Sequence, residues 1–252
     1  MTSPATIAAH IDEMLESAGF PDACHNGLQV AGDGPVTCLA TAASASLASC
    51  AAAVAAGCQA LLCHHGLIFA GVQRIDDPLR RRLATLLTAD CALLGYHLPL
   101  DAHPRWGNNA LIAQRLAAEV LGGIGTWHGR SIGVMARLPQ AMAVAELITR
   151  CQELFNHPTL HCPSDNDEPV SMVAIVSGSG ASCLAEASQA GAQVLITGEV
   201  HEQHWHEARE LGCHILACGH HATEDLAIHL LGAAVAEHFG INHIALPGGN
   251  PL

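Results

Sequence analysis

The sequence predicts an α/β fold around a mostly parallel sheet, because one local pattern recurs along the chain. In each copy a helix stops at Gly, an apolar strand follows, and polar residues stand where the strand ends; the copies are AGCQALLCHHG at 56–66, AGAQVLITGEV at 190–200 and LGCHILACGHH at 211–221. ADCALLGYHLPLD at 89–101 is a looser copy without the helix-ending Gly. Gly after the last helical turn is a common stop signal. Short apolar strands that alternate with Ala-rich helices are typical of parallel α/β units.

The first predicted element is an amphipathic helix over residues 5–18. Its apolar side chains recur at helical spacing, at Ile7, Ile11, Met14, Leu15 and Ala18. Gly19 and Pro21 end this helix, and a loop with the sequence HNGLQVAGDG follows. VTCLATAAS then reads as a strand, because it is apolar and contains β-branched residues.

The middle of the chain predicts a domain division. NNALIAQRLAAEVL has a helical pattern that GGIG interrupts, which places the division near Leu121–Thr126 and gives domains of residues 1–124 and 125–252. HPTLHCPSDNDEP at 157–169 has no periodicity and is predicted to be an exposed loop. VSGSGAS at 176–182 joins a strand to a helix; a plain connecting turn and a phosphate-cradling turn are both open.

Composition excludes several classes of protein. The 252 residues are 50% hydrophobic, which excludes a disordered chain. A formal charge of −13 and an aromatic content of 3% argue against a nucleic-acid-binding surface. There is no long apolar run and no leader-like start, so we expect a soluble, cytoplasmic protein without membrane contact. The eleven cysteines form no C-x-x-C motif, so we expect reduced thiols rather than a zinc finger or a dithiol redox site.

Histidine is the informative residue. The chain has eighteen, and several follow the predicted strands together with carboxylates: His64 and His65, His97 and Asp101, Glu199 and His201, and His220, His221 and Glu224. Ligands of parallel sheets bind beyond the carboxyl ends of the strands, where these groups would meet. Imidazole binds metals and titrates near neutral pH, so the pattern predicts a metal site or a proton-transfer site.

Spacing gives some of these residues a specific geometry. If HHATE opens a helix, His220 and Glu224 are four residues apart and point to the same side, as two ligands of one cluster require. The alternative is that Thr223 caps the helix and Glu224 is an acid favoured by the helix dipole. His64 and His65 point to opposite sides in a strand, but in a loop each could address a different metal of a pair.

Other positions keep open roles. Pro99 predicts a rigid turn rather than a helix before Asp101, whose carboxylate could bind a metal or bridge two. His97 is a ligand, an acid/base group or a buried partner of a carbonyl. Glu199 is a partner of a ligand, a base or part of a solvated loop. HEQH at 201–204 lacks the H-E-x-x-H spacing of a zinc protease.

Several motifs together resemble a known family. They are HHG at 64–66, GYHLPLDAH at 95–103, GNN at 107–109, TGEV at 197–200 and GHHATE at 219–224, with NGLQV at 26–30 and IALPGGNP at 244–251. The chain resembles, over essentially its whole length, the YbgI-like dinuclear-metal proteins, also labelled GTP cyclohydrolase I type 2 homologues or the Ngg-interacting-factor-like family. Tyr96 is a minor departure, since relatives can carry Trp there.

The resemblance implies two interlinked α/β domains with mostly parallel or mixed sheets, a metal site at the strand ends between them, and a hexameric ring. By position, His64 and His220 would hold one divalent metal, His65 and Asp101 a second, and Glu224 would bridge, with His97 close by. The first predicted domain carries His64, His65, His97 and Asp101, and the second carries Glu199, His220 and Glu224. Mixed imidazole and carboxylate ligands suit Zn, Mn, Fe, Co or Ni.

Two functions follow from this site. One is a metal-dependent hydrolase acting on a nucleotide, a phosphoester or a related small molecule, with His97 or Glu199 moving the proton. The alternative is a non-catalytic metal-binding ring that serves as a scaffold or in metal handling; an open coordination position distinguishes the two. A cyclohydrolase would need to bind a triphosphate, and the candidate cations for that are Arg74, Arg80, Arg81 and Arg82. An exposed helix face accounts equally well for the last three.

Overall fold

A computed structural model describes residues 2–69 and 71–252. The helices are α1 (Pro4–Leu15), α2 (Leu47–Ala55), α3 (Asp77–Thr88), α4 (Leu98–Ala102), α5 (Asn108–Arg115), α6 (Val144–Phe155), α7 (Leu184–Gln189), α8 (Glu202–Glu210) and α9 (His220–Phe239). The strands are β1 (Gly27–Val30), β2 (Cys38–Ser44), β3 (Ala60–His65), β4 (Ala92–Gly95), β5 (Glu119–Trp127), β6 (Arg130–Met142), β7 (Leu160–Cys162), β8 (Val170–Val176), β9 (Val194–Thr197), β10 (His214–Ala217) and β11 (Asn242–Ala245). The predicted α/β class is confirmed.

The chain forms two compact units that are interlinked in sequence. The first contains the residues up to Leu100 together with Asp225–Gly249, and the second contains Asp101–Glu224 and the last three residues. The predicted boundary between residues 124 and 125 lies inside β5. The two compact units divide instead after Leu100 and after Glu224. The physical reason is that β11 pairs in parallel with β2, which places the C-terminal segment in the first unit.

The first unit is built on a sheet of strand order β1-β4-β3-β2-β11. Its strands β2, β3, β4 and β11 are parallel, and β1 is an antiparallel edge strand. Leu61, Cys63 and Leu93 of the central strands are fully buried in a core that α2 and α3 help to cover. The parallel register of β3 with β4 brings the ends of both strands to one edge of the sheet, where β3 ends in His64 and His65 and where His97 follows β4.

The second unit contains a mixed sheet of strand order β5-β6-β8-β9-β10-β7. Alternate residues of its strands enter two different cores: Val173 and Ile175 lie in one, and Ala174 and Val176 lie in the other. Both faces of this sheet are covered. The sequences of β8, β9 and β10 are therefore mostly apolar, as expected for buried strands.

Three local predictions were wrong. Residues 157–169 are not only a loop, because β7 lies within them and pairs antiparallel with β10; a three-residue edge strand leaves no periodicity in the sequence. The helix of NNALIAQRLAAEVL ends at Arg115, and the GGIG segment is part of β5. Pro99 lies inside α4 rather than in a turn, because Pro is tolerated in the first turn of a helix.

None of the helices in residues 2–69 and 71–252 combines the length and the apolar composition that crossing a membrane requires.

Candidate metal centre

Three histidines of the first unit form a cluster at the ends of β3 and β4. His64 is fully buried at the end of β3, His65 follows it, and His97 lies just beyond β4. Their ring centroids are 4.6 Å (His64–His65), 5.1 Å (His64–His97) and 5.6 Å (His65–His97) apart. Each ring offers a nitrogen within 4.8 Å of the other two, so the cluster could hold a metal ion.

The same ring nitrogen is engaged in all three histidines. The contacts are His64 Nδ1 to the carbonyl oxygen of Tyr96 (3.0 Å), His65 Nδ1 to Ser44 Oγ (3.1 Å) and His97 Nδ1 to Asp22 Oδ1 (2.9 Å). A carbonyl or carboxylate oxygen only accepts, so the rings of His64 and His97 donate from Nδ1. Their lone pair is then on Nε2, the tautomer that a metal ligand needs, and such outer contacts are a regular feature of metal sites.

Asp22 is the support that fixes His97. Its side chain is 1% exposed, and besides the His97 ring it accepts the backbone N–H groups of Cys24 and Leu98 and the amide of Asn26. Burial alone would raise the pKa of this carboxyl, but the hydrogen bonds and the charge of His97 lower the pKa of Asp22 to about 2. Asp22 is therefore a charged, fully engaged anchor beside the histidine cluster.

The NGLQV motif holds the segments that follow the two strands. Gln29 Oε1 accepts the backbone N–H of Leu67 at 2.6 Å and that of Ile68 at 3.0 Å, just after His65. Gly66 is required by this contact, because a Cβ there would lie 2.3 Å from the Gln29 amide. Asn26 Oδ1 accepts the backbone N–H of His97 at 2.8 Å. Asp22, Asn26 and Gln29 had no predicted role, since they act on residues far along the chain.

A second set of donors lies in the second unit, at the start of α9. His220 Nε2 is 3.0 Å from Glu224 Oε2, which confirms that the two side chains share one side of a helix. His220 Nδ1 is 3.3 Å from Glu199 Oε1, and Ser179 Oγ donates to the same carboxylate oxygen. Glu199 thus contacts the Nδ1 side of the His220 ring and orients it, as a carboxylate often orients a metal-binding histidine.

The pKa values in this set follow from these contacts. The hydrogen bond to Glu224, against the effect of burial and with the charges of both carboxylates, raises the pKa of His220 to about 9. The hydrogen bond from Ser179, opposed by burial and aided by the charge of His220, lowers the pKa of Glu199. Carboxylates that favour a proton on His220 also favour a metal cation in its place.

Asp101 belongs to the second unit and lies at the end of α4, 6% exposed. Its Oδ1 accepts Asn108 Nδ2 at 2.8 Å and Ser177 Oγ at 3.1 Å, while Asn109 Oδ1 accepts the backbone N–H of Ser177 at 2.7 Å. A carboxylate oxygen of Asp101 lies within 4.8 Å of one of Glu224. Two acidic groups at this distance repel one another unless a proton or a cation lies near both.

The turn at Gly178 packs directly against the second donor set. Its backbone N–H donates to Thr223 Oγ1 at 3.1 Å, so Thr223 fastens this turn to α9. A Cβ on Gly178 would lie 2.1 Å from Glu224 Oε1 and 3.1 Å from His220 Nε2. The turn of the VSGSGAS segment therefore supports the second donor set.

Substituting Gly178 by alanine is expected to weaken zinc binding by about 10- to 100-fold, the usual effect of disturbing the surroundings of metal ligands. The new methyl group would displace the Glu224 carboxylate, the flexible end of that side chain. Alanine at a positive φ also strains the backbone. Zinc titration against a chromophoric chelator measures the change. Gly212→Ala is the matched control, because Gly212 has a similar φ (+66° against +58°) and no atom within 4 Å of the added Cβ. Equal zinc affinity in both variants would contradict the expectation.

The structure places the predicted residues in two groups, each within its own unit. His64, His65 and His97 lie together in the first unit, and His220 and Glu224 lie in the second with Asp101 and Glu199. His201 instead precedes α8, where its backbone N–H donates to His204 Nδ1 at 2.9 Å.

Known proteins resemble this chain over nearly its whole length. A family model described as Duf34/NIF3 (NGG1p interacting factor 3) matches residues 3–251. Proteins named GTP cyclohydrolase 1 type 2 homolog are 35% identical in Deinococcus radiodurans (92% of this chain, 88% of the relative) and 37% identical in Escherichia coli strain K12 (96% of each). The solved structure of protein ybgI, described as of unknown function, has a TM-score of 0.94 at 36% identity and covers 100% of both chains.

Proposed function

Because the chain belongs to the Duf34/NIF3 (NGG1p interacting factor 3) family, we propose that it binds a pair of divalent metals and hydrolyses a nucleotide, a phosphoester or a related small molecule. The observation that supports this most is the chemistry of the two donor groups. Each group is a set of nitrogen or carboxylate ligands whose outer atoms are already engaged by neighbouring residues. That arrangement is what a metal site requires of its ligands.

We propose that both donor groups serve the same two metals. His64 and His220 would hold one, His65 and Asp101 the other, and Glu224 would bridge them. The donors fit divalent transition metals, because imidazoles and carboxylates in one set suit Zn, Mn, Fe, Co or Ni. Asn108 and Ser177 both donate to Asp101 Oδ1, which supports the proposed role of this carboxylate by fixing its orientation.

The chemistry would divide between the metals and the protein. When bound, paired divalent cations act as Lewis acids toward a phosphoryl or carbonyl oxygen and activate water. His97 is the proposed proton carrier: Asp22 holds its Nδ1, so Nε2 is the atom that would take up and release a proton. Glu199 is the second proposed proton carrier, and its contact with His220 also gives it the task of orienting that ligand.

The test is a substrate panel run with metal-loaded protein and with chelator-treated protein. The panel should include nucleotides, including GTP because of the name that the relatives carry, with phosphomonoesters, phosphodiesters and peptides. Turnover that needs the metal supports the proposal. Protein that binds two metals and turns over no compound of the panel would favour the non-catalytic alternative, a metal-binding scaffold or metal-handling protein.

We also propose that the chain assembles as a homo-oligomer, specifically a hexameric ring. The supporting observation is the edge strand β5, which exposes apolar side chains: Val120 is 49% exposed, and Leu121 and Trp127 are each 43% exposed. Exposed apolar patches on a sheet edge commonly mark contacts between proteins. Light scattering after size-exclusion chromatography should give the mass of a hexamer; a monomer would overturn this proposal.

The proposed location is the cytoplasm. All eleven cysteines are free thiols, as expected for a reducing compartment. Fractionation of cells that produce the protein with a small epitope tag would test the location.

A further inference from the structure

A cavity of the first unit is lined by residues between the end of β3 and α3. It has a volume of about 660 Å³ and is bordered among others by Leu67, Val72, Gln73, Arg74, Pro78 and Arg82. Cavities of about 300 to 1,000 Å³ are the usual size for small-molecule sites. The lining combines apolar side chains with two guanidinium groups.

The two arginines of the cavity differ from their neighbours in how their charge is compensated. Arg80 and Arg81 both pair with Asp77, at 2.8 and 2.7 Å. Within residues 2–69 and 71–252, neither Arg74 nor Arg82 has a carboxylate within 4 Å.

The carboxylate that shares the cavity has another partner. Asp76 Oδ1 accepts the backbone N–H of Leu79 at 3.0 Å and so caps α3. The chain has only ten basic residues against twenty-three acidic ones. The lining therefore holds two guanidinium groups against one carboxylate, which gives it a net positive charge in an acidic protein.

The cavity adjoins the histidine cluster. Leu67 borders it and stands two residues after His65, so their Cα atoms are at most about 7 Å apart. Gln29 fixes this connection through the N–H groups of Leu67 and Ile68.

We infer that this cavity binds the phosphate group of a small phosphorylated molecule through Arg74 and Arg82. Guanidinium groups match the geometry of phosphate oxygens and bind them in pairs of hydrogen bonds. The apolar side chains of Leu67, Val72 and Pro78 would pack against the organic body of the ligand. The inference rests on the proposed function for the choice of a phosphorylated compound, which it makes the substrate class.

Calorimetric titration of chelator-treated protein tests the cavity without the metals. The probes are GMP and guanosine at low ionic strength, where charge contacts are least screened. We expect GMP to bind and guanosine not to bind. The double variant Arg74→Gln/Arg82→Gln is expected to bind GMP at least about tenfold more weakly, because hydrogen bonds between charged groups contribute strongly to affinity.

The matched control is Arg80→Gln/Arg81→Gln, which removes the same charge from the same helix but from arginines that form ion pairs with Asp77. The control should keep GMP affinity within about twofold. Equal loss in both double variants would show a general charge effect and overturn the inference, as would parent protein that binds no GMP. The single variant Arg74→Gln changes an exposed residue and should fold like the parent. It should still bind GMP more weakly than the parent, though less so than the double variant. Since no metal is present, failure here leaves the metal proposal untouched.

Discussion

Replacing Glu224 by glutamine is expected to lower the turnover of metal-loaded protein by at least about a hundredfold. Even residues that only support metal ligands cost 10- to 100-fold when substituted, and Glu224 is the proposed bridging ligand itself. Glutamine keeps the shape of the side chain, which is 3% exposed, but removes the negative charge that faces His220 at 3.0 Å. The comparison uses steady-state rates on whichever substrate the panel identifies, with metal content measured in the same samples.

The control for this substitution is Glu237→Gln on the same helix, where the side chain is exposed. Circular dichroism should show both variants folded. Activity of Glu224→Gln within a fewfold of the parent would remove Glu224 from the proposed site. Loss of metal without any measurable activity in the parent would support the scaffold alternative.

Replacing Asp22 by alanine is expected to destabilise the protein by about 3 kcal/mol or more. The substitution leaves buried donors without their acceptor, each at a cost of about 1–3 kcal/mol. The bonds lost include those from His97 Nδ1 at 2.9 Å and from the backbone N–H of Leu98 at 2.9 Å. Urea unfolding of chelator-treated protein, followed by circular dichroism, measures the change.

Asp77→Ala is the comparison, since Asp77 is also an aspartate with charged partners, Arg80 and Arg81, but its side chain is 53% exposed. Exposed pairs contribute at most about 1 kcal/mol, so its unfolding midpoint should shift little. If both variants unfolded at the same urea concentration, Asp22 would not be the anchor that its contacts indicate.

The donors could be predicted because their signal is local. The donors lie at or shortly after the end of an apolar strand, as His64 and His65 do after LLC, and parallel pairing brings such ends to one edge of a sheet. The supports could not be predicted, because their partners are distant in sequence: Asp22 acts on His97, and Gln29 acts on Leu67. Nothing in a single sequence couples such positions.

The division of the chain into two units could not be predicted either, because it depends on a pairing between strands that are distant in sequence. The strand β11 has only four residues, and their sequence does not show which strand they pair with; only the pairing with β2 assigns β11 to the first unit. The prediction of a turn at Pro99 was wrong because proline disrupts the interior of a helix but is accepted in the first turn. The helix α4 consists of little more than that turn.

Elemental analysis of protein purified without chelator and without nickel affinity resin, beside the variant His65→Ala/Glu224→Ala, decides whether the proposed metal pair exists. We expect about two transition-metal ions per chain in the parent, as in paired-metal sites generally, and close to none in the variant. Parent protein that carries no metal and takes up none of added Zn, Mn or Fe would contradict this expectation. The clustered histidines would then serve another purpose, and the hydrolase proposal would fall with the metal site.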